Sequence, residues 1–191
     1  LIEPTTQQGK EDMFHAAVNR YATTQSDYLK IPGKPYAYWI SKKLCEIFSN
    51  NKRIEDKYRT LAGSSTGNNE RFLRLWHEVR YISGAFNLSE DYHGIGYKWV
   101  PCFKGGGYRK WYGNMDYLVN WDNNGEEVKY WVTHNPNDPN TKSWSRRLFN
   151  TDLYFHSGLT WSKITTGRFS VRYMPQGFIM ESASCGIQPE Q

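Results

Sequence analysis

Tyr97-Lys98-Trp99-Val100-Pro101-Cys102-Phe103, then Lys104-Gly105-Gly106-Gly107-Tyr108-Arg109-Lys110-Trp111-Tyr112, and shortly after Tyr117-Leu118-Val119-Asn120-Trp121 decide the fold. Short runs of aromatic and β-branched side chains broken by glycine are the pattern of strands and turns. The texture continues through Leu153 to Phe155, Phe169 to Tyr173 and Gly177 to Met180. Turns are expected at Gly105-Gly106-Gly107 and, as a hairpin, at Asn123-Asn124-Gly125. Thr133 to Ser145 is polar with Asn-Pro and Asp-Pro steps and reads as a long exposed loop, a place where function often sits.

Upstream of these strands the pattern is different. Residues 1–34 are polar and irregular, with Met13, Phe14, Ala17 and Tyr21 at helical spacing, which predicts a short helix from Glu11 to Tyr21. Ile31-Pro32-Gly33-Lys34-Pro35 is a rigid turn. Tyr38, Trp39, Leu44, Ile47 and Phe48 then share one face of a helix expected over Pro35 to Ser49, with Pro35 in the first turn, where a missing N–H costs nothing. Leu61 to Asn69 is a loop of small residues, and Arg71 to Val79 fits a helix or a strand. The expected architecture is a mixed α/β (α+β) fold, with N-terminal helices followed by a β-rich domain. Residues 1–30 form an irregular or helical extension and residues 31–191 the domain proper.

The 191 residues suffice for a substantial core. Only 38% are hydrophobic, yet 8 are Trp and 14 Tyr, so aromatic rings are expected both in the core and on a working surface. The mean hydropathy of -0.77 and the lack of a long apolar run speak against a bilayer-spanning helix. No signal-peptide pattern is present, and a cytoplasmic protein is expected. The net charge of +5 favours an anionic partner. Cys45, Cys102 and Cys185 are widely spaced and odd in number, the pattern of reduced thiols rather than a disulfide framework or a zinc site. The first residue is Leu1 rather than Met, and the expectation is a chain that begins inside a longer one.

Two segments interleave cations with aromatics: Lys104 to Tyr112, and Lys142-Ser143-Trp144-Ser145-Arg146-Arg147. Either fits phosphate neutralisation by Arg and Lys, or a turn with solvated charges; having both in one β-rich half favours binding. Ser64-Ser65-Thr66-Gly67-Asn68-Asn69 with Arg71 and Arg74 offers hydroxyls and amides to phosphates or base edges, or is a plain connecting loop. Asp116 with Glu127-Val128-Lys129 imitates the core of a metal-dependent nuclease, and equally reads as charges at exposed strand ends. His15, His77, His93, His134 and His156 show no ligand spacing. No lysine and hydroxyl residue follow Gly105-Gly106-Gly107 in the phosphate-loop pattern, and Ser182 to Cys185 lacks a nucleophile elbow. No catalytic or metal site assembles from these residues.

Several segments, taken in order, resemble one family. They are Ile31 to Trp39, Ser65-Thr66-Gly67-Asn68-Asn69-Glu70-Arg71-Phe72-Leu73-Arg74, Lys98-Trp99-Val100-Pro101, Lys104 to Asn114, Leu159-Thr160-Trp161-Ser162, and Arg168 to Tyr173 with Pro175-Gln176-Gly177-Phe178. This ordered set, over roughly residues 28–182, is similar to the region after the catalytic domain in the PglX-type adenine methyltransferases of BREX phage-defence systems. More distantly it resembles the recognition regions of type IIG restriction-modification enzymes. The resemblance implies a DNA target-recognition region over residues 31–191 with no chemistry of its own. The implied S-adenosylmethionine site and the Asn-Pro-Pro-Tyr motif that holds a flipped adenine belong to a methyltransferase domain of the same protein. Asn135-Pro136-Asn137 is a superficial echo of that motif. The resemblance also turns the Arg71 to Val79 reading toward a strand leaving the loop.

The expected partners are double-stranded DNA, the methyltransferase domain, and further proteins of the defence system. Lys104, Arg109, Lys110, Lys142, Arg146 and Arg147 are assigned to phosphates, Thr66, Asn68, Asn69 and Arg71 to loop contacts, and Trp111 or Trp144 to stacking or wedging. The competing readings are a protein-interaction module using the same basic face, a carbohydrate-binding β domain, and the nuclease.

Overall fold

The computed structural model describes residues 4–18, 20–86 and 96–189, which leaves His93 outside the described residues. The chain divides into two packed units, residues 1–56 and 57–191.

The first unit holds helices α1 (Gln7–His15), α2 (Gln25–Leu29) and α3 (Lys42–Asn50). Helix α1 starts earlier than the apolar spacing predicts, because the Thr6 hydroxyl accepts the Gly9 N–H and caps it. It ends at His15, and Ala17 beyond it turns left-handed with φ 54°. At the start of α2 the Asp27 carboxylate accepts from Thr24 N at 3.1 Å and from the Thr24 hydroxyl at 2.8 Å. Lys30 and then Thr24 hold the Asp27 carboxyl well below the usual range. Helix α3 is shorter than the Pro35 to Ser49 expectation. Lys34 is left-handed ahead of Pro35, residues 35–40 form successive turns, and the Ser41 hydroxyl accepts from Leu44 N to start the helix there. Ile31, Ala37 and Cys45 make this unit's small core, while Leu44, Ile47 and Phe48 stay exposed.

The second unit contains β1 (Tyr58–Ala62), α4 (Asn69–Phe72), β2 (Leu73–Leu75), β3 (Trp99–Phe103), β4 (Tyr117–Asn120), α5 (Asp122–His134), β5 (Gly158–Ser162), β6 (Arg172–Met174), β7 (Ile179–Met180) and β8 (Ser184–Pro189). They form two four-stranded sheets, ordered β1-β8-β5-β6 and β2-β4-β3-β7. Among the described residues all ladders are antiparallel except β3 with β7, where Cys102 faces Ile179 and Phe103 faces Met180. This is a mixed α+β fold, and the described residues contain no doubly wound parallel sheet.

Four expected strand runs appear as β3, β4, β6 and β7 with shifted ends, and the strand reading of the run after Arg71 survives as the three-residue β2. Two expected strands do not form. Arg109 to Tyr112 joins a sheet only through one bridge, from Trp111 to Arg172. Leu153 to Phe155 ends a 3-10 turn instead, because Tyr154 and Phe155 are drawn into the core beside Trp121.

The hairpin expected at Asn123-Asn124-Gly125 is also absent. These three residues lie inside the start of α5 and are left-handed, with φ of 47°, 58° and 71°, before the helix becomes regular. A Cβ at Gly125 would lie 2.7 Å from the Trp121 ring, so close packing there demands glycine. Val128 and Val132, four apart on α5, then pack with Phe72, Val100, Cys102 and Trp121. Burial pushes the Cys102 thiol pKa up and keeps it protonated. The polar stretch from Thr133 is less exposed than expected: its first two residues finish α5, and Asn135 and Thr141 are buried.

The two sheets are joined at Gly63 and Ser64, just past β1. Gly63 N donates to Ser184 O, Ser64 N donates to Met180 O, and Ser182 N donates to Ser64 O. A Cβ at Gly63 would stand 1.9 Å from Glu181 O, so the backbones cross there only with glycine. The buried Ser64 hydroxyl donates to Phe149 O at 3.0 Å and accepts from Phe149 N at 2.8 Å and from the Tyr154 hydroxyl at 2.5 Å. Ser64→Ala strands those donors away from water. It should cost about 1–3 kcal/mol of stability in urea unfolding. Tyr154→Phe, which removes one donor and leaves the Ser64 hydroxyl bonded to Phe149, should cost less. An unchanged unfolding midpoint for Ser64→Ala would contradict this role.

Candidate nucleic-acid interface

Ser64 launches the loop that reaches α4. Thr66 is buried; its hydroxyl donates to Asn69 Oδ1 at 3.1 Å and accepts from Asn68 N at 3.3 Å. Gly67 takes φ 71°, and its N–H donates to Ser65 Oγ. Asn68 Oδ1 accepts from Arg71 N at 3.0 Å and caps α4. The Arg71 guanidinium donates twice to Glu127 Oε1, at 3.1 and 2.7 Å, and lies 5.1 Å from the Trp131 ring centre. The other Glu127 oxygen accepts from Asn120. Arg71 first, with Asn120 adding, holds the Glu127 carboxyl below its ordinary value against partial burial.

The second basic segment is fastened to the same loop. Ser65 N donates to Arg147 O at 2.8 Å. A Cβ at Gly67 would come within 3.7 Å of Trp131 Nε1 and 4.0 Å of Arg147 Cδ. Arg147 donates to Asp138 Oδ2 at 2.6 Å, and the same oxygen accepts from Thr141 at 2.8 Å, which lowers the Asp138 pKa. The Lys129 amine lies 5.0 Å from the Trp144 ring centre and 5.6 Å from that of Trp121, and partial burial lowers its pKa. Lys142 and Arg146 are exposed. Ser65, Thr141, Arg146, Arg147 and Phe149 line an open depression. The structure thus gathers Thr66, Asn68, Asn69 and Arg71 with Trp144, Arg146 and Arg147 on one region of the second unit, and Lys142 adjoins it.

The third group stands elsewhere. Lys104 lies 4.7 Å from the ring centre of Tyr117, the first residue of β4, whereas Glu127 is bound to Asn120, the last. At about 3.4 Å per residue the two basic groups are separated by roughly 10 Å of strand. Beyond Lys104, Gly105 and Gly106 are left-handed, and Asn114 Nδ2 donates to Gly107 O. Lys110 lies over the Trp111 ring at 4.6 Å. Arg109 packs its side chain against Gly113, and its carbonyl accepts from Arg172. Trp111 is exposed.

The acids of the nuclease reading do not converge. Asp116 immediately precedes β4, Glu127 belongs to its far end, and Lys129 sits between tryptophans. Among the described residues no three His, Cys, Asp or Glu side chains stand close enough to hold a metal ion. His134 stacks on Tyr130 at 4.1 Å, and His77 contacts Trp76.

Sequence reasoning missed three participants: Trp131, whose indole N–H is buried without a partner, Asp138, and the buried Arg172. Nothing local marks the first two. Arg172 lies in the Arg168 to Tyr173 segment of the resemblance, but its inward direction depends on strand register.

No family model matches the chain. It is 36% identical over 189 residues to the adenine-specific methyltransferase PglX of Lacticaseibacillus casei (strain Zhang), an alignment covering 95% of this chain and 15% of that protein. It is 33% identical over 188 residues to the adenine-specific methyltransferase BrxX of Escherichia coli O9:H4 (strain HS), covering 98% of this chain and 14% of that one. The chain spans about 15% of the length of the curated relatives it matches. The resemblance seen in the ordered segments therefore holds along nearly the whole chain, to a region of PglX-type adenine methyltransferases.

The Arg71–Glu127 pair gives a pH signature. A depressed carboxylate adds stability that is fully present above the unfolded glutamate value of about 4.3 and is lost as pH falls through the folded value. A carboxyl-detected NMR titration should find Glu127 below the ordinary range in the parent and shifted upward in Arg71→Ala. An unshifted Glu127 in that variant would show that Arg71 is not the cause.

Proposed function

We propose that this chain is the DNA target-recognition region of a site-specific adenine N6 DNA methyltransferase of a phage-defence or restriction-modification system. The observation that carries the reading is the fastening of the Ser65 to Arg71 loop against the Trp144 to Arg147 segment around an open basic depression. The similarity to regions of PglX and BrxX supports it.

In this reading Lys142, Arg146 and Arg147 neutralise phosphates on one side, and Lys104, Arg109 and Lys110 on the other. Phosphate contacts of this kind set register and orientation, while base edges supply sequence. Thr66, Asn68 and Arg71 act chiefly by fixing the loop, since Thr66 and Asn68 are engaged within it and Arg71 with Glu127; Asn69 Oδ1 accepts from the Thr66 hydroxyl. Trp144, beside Lys129 and two residues before Arg146, is the stacking candidate of this segment.

The residues described do not fit an S-adenosylmethionine site. The glycine run after β3 leads to a bridge with β6 rather than to a helix, and the parallel sheet of a doubly wound fold is absent among them. No step of methyl transfer is assigned to this chain. The cofactor, the flipped adenine and the transfer belong to a methyltransferase domain of the same protein, which is this region's first partner. Other proteins of the defence system are further partners, and the location is the cytoplasm. No helix among the described residues is long and apolar enough to cross a membrane.

Fluorescence anisotropy with a labelled duplex tests the proposal. Six phosphate contacts predict that affinity falls roughly 10³-fold between 50 and 200 mM salt. The double variant Arg146→Ala/Arg147→Ala should weaken binding and reduce the logarithmic salt slope by about 2. Affinity that is flat with salt, or unchanged in the double variant, would overturn the assignment.

A further inference from the structure

Trp111 combines three features that a solvated turn does not need. It is a bulky residue at φ 75°, in the left-handed region that favours glycine. It is 67% exposed, so burial of its ring does not offset that conformation. Its backbone is nevertheless held on both sides by the edge strand β6 and the residue before it: Trp111 N donates to Val171 O, and Tyr173 N donates to Trp111 O, both at 2.9 Å.

The support continues below the surface. Arg172, between those two partners, is fully buried. Its guanidinium donates to Arg109 O at 3.3 Å, Ser170 Oγ at 3.2 Å and Ser162 Oγ at 3.3 Å, with Nε unpartnered and no carboxylate among these contacts. Ser162 Oγ in turn donates to Gly106 O at 3.0 Å. A buried cation thus grips the glycine-rich loop at both Gly106 and Arg109 and fixes the segment that displays Trp111. Burying a charge without an opposite charge is costly, and the return is a preformed loop.

The neighbouring surface is aromatic and cationic. Tyr173 on β6 is 52% exposed and Phe169 67%, with Phe169 packed on Trp161 of β5 at 6.1 Å. Residues 104–115 and 157–180 carry five Lys or Arg besides the buried Arg172, and no Asp or Glu. Exposed rings amid unopposed cations match how proteins hold unpaired nucleotides: bases stack on the rings and the backbone follows the charge. Fully paired duplex hides its base faces and offers such rings nothing to stack on.

We propose that Trp111 forms a stacking site for unpaired DNA bases, held in shape by the buried Arg172, with the exposed Tyr173 and Phe169 carried by the adjoining strand segment. The proposal rests on the DNA-recognition reading and adds to it a second mode, in which this surface takes bases out of the stack while the Ser65 and Arg147 region grips phosphates.

The test uses the whole 191-residue chain and two labelled duplexes of equal length, one fully paired and one with a central three-base mismatch bubble carrying 2-aminopurine. The bubble should bind roughly tenfold tighter, as expected for one or two stacked bases. Its 2-aminopurine emission should be quenched on binding. Trp111→Ala should bring the affinity ratio to about one and abolish the quench, whereas Trp111→Phe, which keeps a ring, should retain both in part. Arg146→Ala/Arg147→Ala should weaken both duplexes and leave the ratio. Equal affinity for the two duplexes, or a preference that survives Trp111→Ala, overturns the platform. If paired duplex binds with a steep salt slope but no bubble preference exists, only the platform fails. If neither duplex binds, the DNA reading fails with it.

Discussion

A single buried hydroxyl organises the second unit. Ser64 Oγ meets both backbone polar groups of Phe149 and the Tyr154 hydroxyl, while the Ser64 backbone bonds to Met180 and Ser182. One residue thus ties the end of β1 to the end of β7 and to the segment carrying Arg146 and Arg147. A buried hydroxyl can do this because all its hydrogen-bonding capacity is used, and a half-satisfied one would weaken the core. Gly63 makes the crossing sterically feasible. The position of the Ser65 to Arg71 loop beside Arg147 is a consequence: Ser65, the next residue, makes the next backbone bond, to Arg147 O.

Around this tie the cations divide into two kinds. Arg71 is committed to Glu127, Arg147 to Asp138, and Lys129 to the faces of Trp121 and Trp144. These pairs are half exposed and contribute little to stability individually; their effect is to fix orientation. Lys142 and Arg146 extend into solvent from that frame. Charge for an anionic partner comes, in the proposed reading, from Lys142 and Arg146 outside the ion pairs and from Arg147 within one, while Arg71 and Lys129 supply shape. In the glycine-rich segment the division recurs, with Arg172 buried as the fixed member and Lys110 and Trp111 displayed.

Much of the fold was legible because strand texture is local. Trp99 to Phe103 and Tyr117 to Asn120 have the aromatic and β-branched character that a pleated, half-buried surface selects. The failures came where tertiary packing outweighed local signals. Asn123-Asn124-Gly125 has hairpin chemistry, but its left-handed residues suit any tight reversal, and the apolar spacing of Val128 and Val132 on α5 decided which one. Leu153 to Phe155 has strand composition, yet Tyr154 is needed at Ser64. Of the proposed site, the cation-rich segments could be read directly. That Thr66 faces inward, that Asp138 occupies Arg147, and that Lys104 stands a strand's length from Arg71 all depend on contacts between residues far apart in sequence, which spacing does not encode.

The central claim is that the loop after Ser64 and the segment before Phe149 form one DNA-binding surface. Hydrogen–deuterium exchange of the whole chain, with and without a saturating duplex, tests it most directly. The account predicts slowed exchange in residues 64–71 and 141–149 together, with residues 104–112 also affected and residues 7–50 unchanged. A footprint confined to residues 7–50, or one that touches only one of the two joined segments, would contradict it.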